Sequence, residues 1–222
     1  MFSFLFPKLD PNTQKYWKFI SQRTKQNLKT HDEICYVCKK PSANFKTHFS
    51  CKKTYSPEQV VTCFYYNHYL KNILLKFKYY HQKQISHELA QIMKTFYLMY
   101  LPTQDTALTF IPMHRIRKFF IKWYNQSEIL AKSLAQQLKL PLVKICKKTK
   151  YTKPQAKILW RQNRLLNLHN SFKPENSSLS NIKNIVVIDD LITTGSTLEE
   201  LTKCIKKSHP HLNIFALTLA RK

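Results

Sequence analysis

The segment that decides the fold reads NIVVIDDLITTGSTLEEL and occupies residues 184–201. Its apolar run at 185–188 is short and unbroken, which is typical of a strand buried on both faces in a parallel sheet. Two acidic residues follow, then a turn rich in hydroxyl groups, and then a pattern that predicts a helix over about 196–207. This order places polar groups at the carboxyl edge of a parallel sheet, where ligands bind in open α/β folds.

The side chains of this segment favour a ligand that carries both hydroxyl and phosphate groups. Asp189 and Asp190 offer carboxylates that accept hydrogen bonds from vicinal sugar hydroxyls. Backbone N–H groups at the start of the helix are suited to a phosphate, and Gly195, the single glycine of the chain, fits a turn with a positive φ or a close approach to an anion. An ordinary helix cap is the alternative interpretation. The hydroxyl groups of the turn belong to Thr193, Thr194, Ser196 and Thr197.

The rest of the chain alternates strand and helix patterns around this segment. Ser127 is the predicted N-cap of the third helix, and the polar, basic stretch 147–184 is predicted to be a long functional connection. Alternating strands and helices predict an α/β fold with a parallel sheet. Strands are predicted at 60–66, 107–111, 142–146, 185–188 and 214–219, and helices at about 68–80, 84–100, 127–139 and 196–207.

Length and composition limit the class of protein. The 222 residues suit one α/β domain with a small appendage, and a hydrophobic content of 43% excludes a disordered chain. Apolar runs are far shorter than the roughly 20 residues of a membrane-spanning helix. The N-terminus has neither the basic start nor the small-residue cleavage site of a secretory signal, so a cytoplasmic protein is expected.

The charge of +25 points to a polyanionic partner. A Lys-rich composition without selection for binding is the alternative. The charge is uneven, because residues 106–174 hold 15 Lys and Arg but a single acid, Glu128. Aromatic residues are interleaved with this basic stretch, as non-specific binding of single-stranded DNA requires, although they fit an apolar core equally well. They are Trp123, Tyr124, Tyr151 and Trp160.

Residues 35–57 are rich in Lys, Cys and His and show no periodicity, so a metal ion is expected to hold them together. Cys35, Cys38, His48 and Cys51 follow the pattern C-x2-C-x9-H-x2-C, which is typical of a tetrahedral structural zinc site. His31 competes with His48 as the fourth ligand, and a redox pair at Cys35 and Cys38 is the alternative to a metal. The sequence therefore divides into an extension (1–34), a zinc-knuckle module (35–57) and a main domain (58–222). Three further cysteines, Cys63, Cys146 and Cys204, are predicted to pack as small apolar side chains.

Three blocks of the sequence resemble known families. The 184–201 segment resembles the phosphoribosyl diphosphate signature of type I phosphoribosyltransferases. FIPMHRIRKFFIKWYNQ, which begins at Phe110, resembles the P-x-P-x-H-R-x-R and R-G-F-N-Q pattern of the ComF family, with Met113 in place of the second Pro and Lys122, Trp123 and Tyr124 in place of R-G-F. KPQAKILWRQNRLLNLHNSF, at 153–172, resembles that family's Q-x-x-L-x-x-x-x-R-x-x-N block. The resemblance covers about 35–220.

The resemblance implies a type I phosphoribosyltransferase-like parallel sheet flanked by helices, with a small N-terminal zinc-binding module. It also implies a bound phosphoribosyl diphosphate with Mg²⁺, and a mobile active-site loop that contains Gln155, Arg161 and Arg164. Guanidinium groups near the diphosphate suit its oxygens, whereas His114 is as compatible with a structural role. The implied ligand-binding residues are Asp189, Asp190, Thr193, Thr194, Gly195, Ser196, Thr197, Arg115 and Arg117.

Three functions are compatible with these features. The first is a ComF-like competence protein that binds phosphoribosyl diphosphate and single-stranded DNA during DNA uptake or recombination, with a competence helicase or recombination proteins as partners. The second is an active phosphoribosyltransferase that joins ribose 5-phosphate to a nucleobase or amine. The third is a sensor that binds phosphoribosyl diphosphate without turnover. No nucleophile or other catalytic residue is assigned.

Overall fold

A four-stranded parallel sheet with helices on both faces forms the main body of the protein. The computed structural model describes residues 20, 26–79, 82–114, 124–150, 170–177 and 179–222. Two single-turn 3-10 helices, Ala43–Phe45 and Phe49–Cys51, precede the first strand. The longer elements are β1 (Gln59–Tyr65), α1 (His68–Tyr79), α2 (Gln82–Tyr100), β2 (Thr106–Phe110), α3 (Gln126–Leu138), β3 (Cys146–Lys148), β4 (Phe172–Pro174), β5 (Asn184–Ile192), α4 (Ser196–Ser208) and β6 (Asn213–Arg221).

The sheet has the strand order β1-β6-β5-β2, and every pairing is parallel. In the interior strand β5, Ile188 pairs with Phe110 of β2 on one side and with Leu217 of β6 on the other. This arrangement confirms the α/β class with a parallel sheet. Because the four strands run in one direction, their carboxyl ends share one edge, and the acidic residues of β5 lie near that edge.

The two faces of the sheet carry separate apolar clusters. Val186 and Ile188 pack in the cluster that includes α2 and α3, whereas Ile185 and Val187 pack in the cluster that includes α4. All four side chains are fully buried. Successive strand residues point to opposite faces, so a strand covered on both sides needs an unbroken apolar run. This is why the 185–188 run predicted β5 correctly.

The predicted amphipathic helix over 84–100 is confirmed as α2. Ile85, Leu89, Ile92 and Phe96 are buried against the sheet, as their spacing predicts. The last residue of the predicted stripe, Met99, is 52% exposed, because the core-facing side of the helix end runs through Tyr97 and Leu101, which are buried. No helix within the described residues is long and apolar enough to cross a membrane.

Two local predictions were wrong. Residues 142–146 do not form a strand of the main sheet. Leu142 makes one isolated bridge to Leu108 of β2, after which the chain leaves the sheet edge and Cys146–Lys148 pairs antiparallel with Phe172–Pro174. The predicted long connection 147–184 therefore contains a short strand of its own. The N-cap of α3 is Asn125 rather than Ser127.

Candidate functional site

The two acidic residues lie inside β5 rather than after it. The apolar run ends at Ile188, but the ladder with β6 continues through Ile192, and Asp189 pairs with Thr218. The longer strand forms because β6 extends to Arg221 and supplies backbone partners along the whole stretch. Both acidic residues are half-buried near the carboxyl edge of the sheet.

Asp189 is held by a residue of a different helix. The Ser127 hydroxyl, in the first turn of α3, donates a hydrogen bond of 2.8 Å to Asp189 Oδ1. The same oxygen accepts a 3.0 Å hydrogen bond from the backbone N–H of Asp190. Loss of solvent around the carboxyl raises the pKa of Asp189 well above its usual value, and the negative charge of Asp190 raises it further. The hydrogen bonds from Ser127 and from the Asp190 N–H oppose this shift. The Asp189 carboxyl is therefore held in one position by two donors. Because its ionised form is disfavoured there, a further hydrogen-bond donor or a cation beside it would be stabilising.

The turn after β5 is closed by its own hydroxyl groups. Thr194 Oγ1 and Ser196 Oγ lie 3.0 Å apart, and the Ser196 backbone N–H points to Thr194 Oγ1 at 3.4 Å. Gly195 is the N-cap of α4, and its carbonyl accepts the first helical hydrogen bond, from the Glu199 N–H at 2.9 Å. Thr193 and Thr197 are half-buried beside it. The structure thus brings the predicted residues of 189–197 together at the N-terminus of a 13-residue helix, an arrangement suited to an anion.

Gly195 is required by conformation and by space. Its φ is +80°, in the left-handed region that favours glycine. A Cβ at this position would lie 3.0 Å from Cδ2 and 3.1 Å from Cε2 of Tyr36. The aromatic ring of the residue that follows Cys35 therefore packs directly on the turn.

The four predicted metal ligands converge at one point. The sulfur atoms of Cys35, Cys38 and Cys51 and a ring nitrogen of His48 all lie within 4.8 Å of one another. Cys38 Sγ is 3.2 Å from His48 Nδ1. Ligands of a tetrahedral zinc ion at normal bond lengths are separated by roughly 3.5 Å. The cluster therefore fits a metal, and His31 lies outside it, stacked on Tyr65 at 4.1 Å between ring centroids.

The surroundings of the cluster prepare two of the ligands. His48 Nε2 lies 3.0 Å from the carbonyl oxygen of Pro41 and donates to it, so the lone pair of Nδ1 faces the sulfur atoms. Burial acts to raise the pKa of the Cys35 thiol, but hydrogen bonds from the backbone N–H groups of Cys38, His48 and Val37 outweigh it, so the pKa is lowered. The contact with Pro41 fixes the orientation in which Nδ1 can bind a metal, and the lowered pKa of Cys35 favours the metal-binding thiolate.

Tyr36 connects the metal cluster to the turn. The residue is 1% exposed, and its hydroxyl donates to Glu199 Oε1 at 3.3 Å in the first turn of α4. Its carbonyl oxygen accepts a hydrogen bond of 2.6 Å from the guanidinium of Arg221, at the end of β6. The Tyr36 ring is thus fixed by the turn at Gly195, its hydroxyl by α4 and its carbonyl by β6.

Several predicted residues lie outside the described part of the chain or have structural partners. Tyr124, one of the aromatic candidates for DNA contact, donates to the Phe77 carbonyl at 2.6 Å and packs on the Phe77 ring. His114 lies 3.1 Å from the Thr149 carbonyl oxygen. Asn125 donates to the Ile111 carbonyl at 2.8 Å. The residues outside the described part are Arg115, Arg117, Trp123, Tyr151, Gln155, Trp160, Arg161 and Arg164.

The other three cysteines differ in environment. Cys63 and Cys146 are buried, as predicted. Cys204 is half-buried, and its sulfur lies 3.2 Å from that of Cys146, a contact between α4 and β3 that the sequence did not predict.

Sequence reasoning missed three residues that shape the site. Ser127 could have been found, because it follows β2, whose carboxyl end lies beside that of β5. Tyr36 and Arg221 gave no signal, since an aromatic residue between two cysteines and an arginine near the end of a strand are both common on protein surfaces.

Comparisons with known proteins agree with this geometry. The phosphoribosyl transferase domain family matches residues 125–222. Competence protein F of Haemophilus influenzae is 31% identical over 173 residues, which cover 70% of this chain and 70% of that protein. Competence protein ComFC of Bacillus subtilis is 24% identical over 217 residues, which cover 87% of this chain and 86% of that protein.

Proposed function

The chain belongs to the ComF family of phosphoribosyltransferase-like proteins, and on that premise we propose that it binds phosphoribosyl diphosphate with Mg²⁺ and handles single-stranded DNA in competence. The observation that carries the proposal is the end of β5 together with the turn after it, called the 189–197 loop below, in which two carboxylates and a hydroxyl-rich turn meet at the N-terminus of α4. We place this activity in the cytoplasm, where the substrate and reduced metal ligands occur together.

Each part of the loop has a defined role in the proposal. Asp189 and Asp190 accept hydrogen bonds from the ribose hydroxyls, and Ser127 keeps the Asp189 carboxylate in place. The hydroxyls of the turn and the N–H groups of the first helical turn hold the 5-phosphate. Mg²⁺ supplies positive charge to the diphosphate when it is bound. Arg115 and Arg117, carried over from the resemblance, are proposed to contact the same diphosphate.

A binding measurement tests the proposal. Titration calorimetry with phosphoribosyl diphosphate and Mg²⁺ should show one site per chain, and Asp189→Asn with Asp190→Asn should weaken binding at least a hundredfold while the thermal midpoint of unfolding does not fall. Asp105→Asn is the matched control, because Asp105 pairs with Lys183 where β2 and β5 begin, at the opposite edge of the sheet. Unchanged affinity in the double variant would discard the assignment. Diphosphate release measured across a panel of nucleobases then separates a transferase from a binding protein.

The metal module is proposed to hold one structural zinc ion. Cys35, Cys38, His48 and Cys51 would be its ligands, since three thiolates and an imidazole are a donor set that zinc favours. A site with four protein ligands leaves no open position, so the role is to fix the module rather than to take part in chemistry.

Binding of single-stranded DNA is supported by charge. The formal charge is +25, and a polyanion neutralised by lysines releases counterions, which makes affinity strongly salt-dependent. The basic stretch 106–174 is the proposed face. Within its described part, Lys147 is exposed, whereas Lys144 pairs with Glu175 at 2.9 Å.

A further inference from the structure

Two cysteines that belong to neither the metal cluster nor the 189–197 loop lie in contact. The sulfur atoms of Cys146, in β3, and Cys204, in α4, are 3.2 Å apart. We propose that Cys146 and Cys204 form a reversible thiol–disulfide site that reacts with low-molecular-weight disulfides. The pair needs only a small approach to reach the roughly 2.05 Å of an S–S bond.

The two cysteines differ in access. Cys146 is 3% exposed and is the first residue of β3 in the short β3–β4 ribbon. Cys204 is half-buried and lines an open cavity of about 200 Å³, together with Phe172, Lys203 and Lys207. A small disulfide can therefore reach Cys204 from solvent, whereas Cys146 is reached through Cys204.

The pKa shifts of the two thiols also indicate that Cys204 reacts before Cys146. The Cys146 thiol donates its hydrogen bond to the Cys204 sulfur, and this bond lowers the pKa of Cys204. Lys207 lowers it further, while burial and the negative charge of Glu200 act against the shift. The shared hydrogen bond, followed by burial, raises the pKa of Cys146. A partly exposed cysteine with stabilised thiolate is the reactive type, and a buried one is inert on its own.

The proposed reaction is two successive thiol–disulfide exchanges. The Cys204 thiolate attacks one sulfur of the small disulfide, forms a mixed disulfide and releases the first thiolate. That thiolate takes the proton of Cys146, whose sulfur then attacks the Cys204 sulfur and displaces the second thiolate. The sum converts two protein thiols and one small disulfide into one protein disulfide and two small thiols, and an excess of small thiol reverses it.

The bond would attach β3, which pairs with β4, to α4, whose N-terminus lies at the turn of Gly195. Cys63 is the contrasting case, because it is fully buried in the other apolar cluster and burial raises the pKa of its thiol. Oxidation is therefore expected to select the Cys146 and Cys204 pair over Cys63.

Peptide mapping of the full chain, kept in its metal-loaded form, tests the proposal. The protein is treated with oxidised glutathione, alkylated and cut after glutamate, which places Cys146 alone in the 129–175 fragment and Cys204 alone in the 201–222 fragment. We expect these two fragments to be linked in the monomeric chain and separated by dithiothreitol. An unmodified 201–222 fragment, a glutathione adduct that never resolves, or a link found only between two chains would each overturn the proposal.

Variants identify the order of attack. Cys204→Ser should abolish both the link and the glutathione adduct, whereas Cys146→Ala should leave glutathione attached to the 201–222 fragment. Cys63→Ala is the matched control and should form the link as the unaltered protein does. If Cys146→Ala reacts no faster at Cys204 than at Cys63, the assigned nucleophile is wrong. The result on the unaltered chain stands even if a variant fails to fold.

Discussion

The 189–197 loop touches residues 35–51 of the predicted zinc-knuckle module, called the knuckle below, yet different forces hold the two regions. The loop continues from a strand whose residues 185–188 are fully buried between two apolar clusters. The knuckle, by contrast, buries only Cys35, Tyr36 and Phe45 among its apolar side chains. The loop therefore has its shape before any ligand arrives, whereas the knuckle, which buries few apolar side chains, is proposed to depend on a metal.

The contact between them makes the difference measurable. Tyr36 belongs to the knuckle by sequence, but its ring fills the space over Gly195 and its hydroxyl reaches Glu199. If the metal positions the knuckle and the knuckle positions Tyr36, then the ligand loop should respond to the metal.

Removal of the metal should have the largest effect. Structural zinc contributes on the order of 10 kcal/mol in isolated zinc-finger peptides, and here we expect a smaller but substantial part of it, because some knuckle residues also contact the core. The thermal midpoint should fall by more than 5 °C, and affinity for phosphoribosyl diphosphate should fall at least tenfold. Calorimetry and fluorimetry before and after a chelator measure both.

The ligand set gives the control for this prediction. His48→Ala should lose the zinc measured by elemental analysis, whereas His31→Ala should keep one zinc per chain, because His31 lies outside the cluster. A chelated chain that keeps both its thermal midpoint and its affinity would show that core contacts alone hold the knuckle and that the ligand loop does not depend on the metal.

Gly195→Ala should have the next largest effect. A positive φ costs an L residue roughly 1–2 kcal/mol, and the new Cβ would lie 3.0 Å from the Tyr36 ring. We expect the free energy of unfolding to drop by about 2–3 kcal/mol, measured by denaturant titration. Replacing Tyr36 by Leu should relieve only the steric part, so the double variant should lose less than the sum of the two single variants.

Tyr36→Phe separates the ring from the hydroxyl. It keeps the packing on Gly195 and loses the hydrogen bonds of the hydroxyl with Glu199 and Ser56, so its effect should stay at about 1 kcal/mol. For the preceding pair of variants, additive losses of unfolding free energy in Gly195→Ala and Tyr36→Leu would mean that the Tyr36 ring and the turn do not influence each other.

The same difference between the two regions limits what the sequence could predict. The buried strand and the turn at Gly195 were predictable because few structures other than a strand and a turn suit an apolar run followed by acids and a glycine, although the strand also includes the two acids. The convergence of Cys35, Cys38 and Cys51 with a histidine was predictable from spacing, and in the structure that histidine is His48 rather than His31. Ser127, Tyr36 and Arg221 were not, because their roles depend on which distant elements the fold brings together, and no local pattern encodes that. The strand at 142–146 was wrong because an apolar run beside a sheet edge can leave that edge after one bridge.

Asp189→Asn should have a modest, pH-dependent effect on stability. Burial and the charge of Asp190 raise the pKa of the Asp189 carboxyl in the folded state, so the folded chain holds this proton more tightly than the unfolded chain does. The contribution to stability is full below the unfolded pKa of about 3.9 and is lost as the pH rises through the folded value. An amide does not titrate, so the variant avoids this loss of stability. The thermal midpoint of the variant, relative to that of the unaltered protein, should therefore increase from pH 4 to pH 8.

Thermal scans at four or five pH values measure this trend. Asp105→Asn, at the opposite edge of the sheet, should lose only the exposed pair with Lys183, worth at most about 1 kcal/mol. An advantage of Asp189→Asn that shrinks with rising pH would mean that the loop stabilises the charged carboxylate without a ligand. The loop would then resemble the knuckle in being built around a charge.

The smallest expected effect concerns the binding of single-stranded DNA by the basic stretch 106–174. Each phosphate neutralised on single-stranded DNA contributes about −0.7 to the slope of log affinity against log salt. Replacing four lysines of the basic stretch by Gln should therefore make the slope shallower by up to about 3. The change should be smaller if Lys148 does not contact DNA in the unaltered protein, where its Nζ lies 5.7 Å from the centroid of the Phe172 ring. The four residues are Lys147, Lys148, Lys150 and Lys153. Four lysines from the N-terminal extension, Lys8, Lys15, Lys18 and Lys25, replaced in the same way should change the slope less, because no anion site is proposed there. Equal losses in both variants would trace the binding to the net charge of +25, since a specific face requires that the position of a lysine matters as well as its charge.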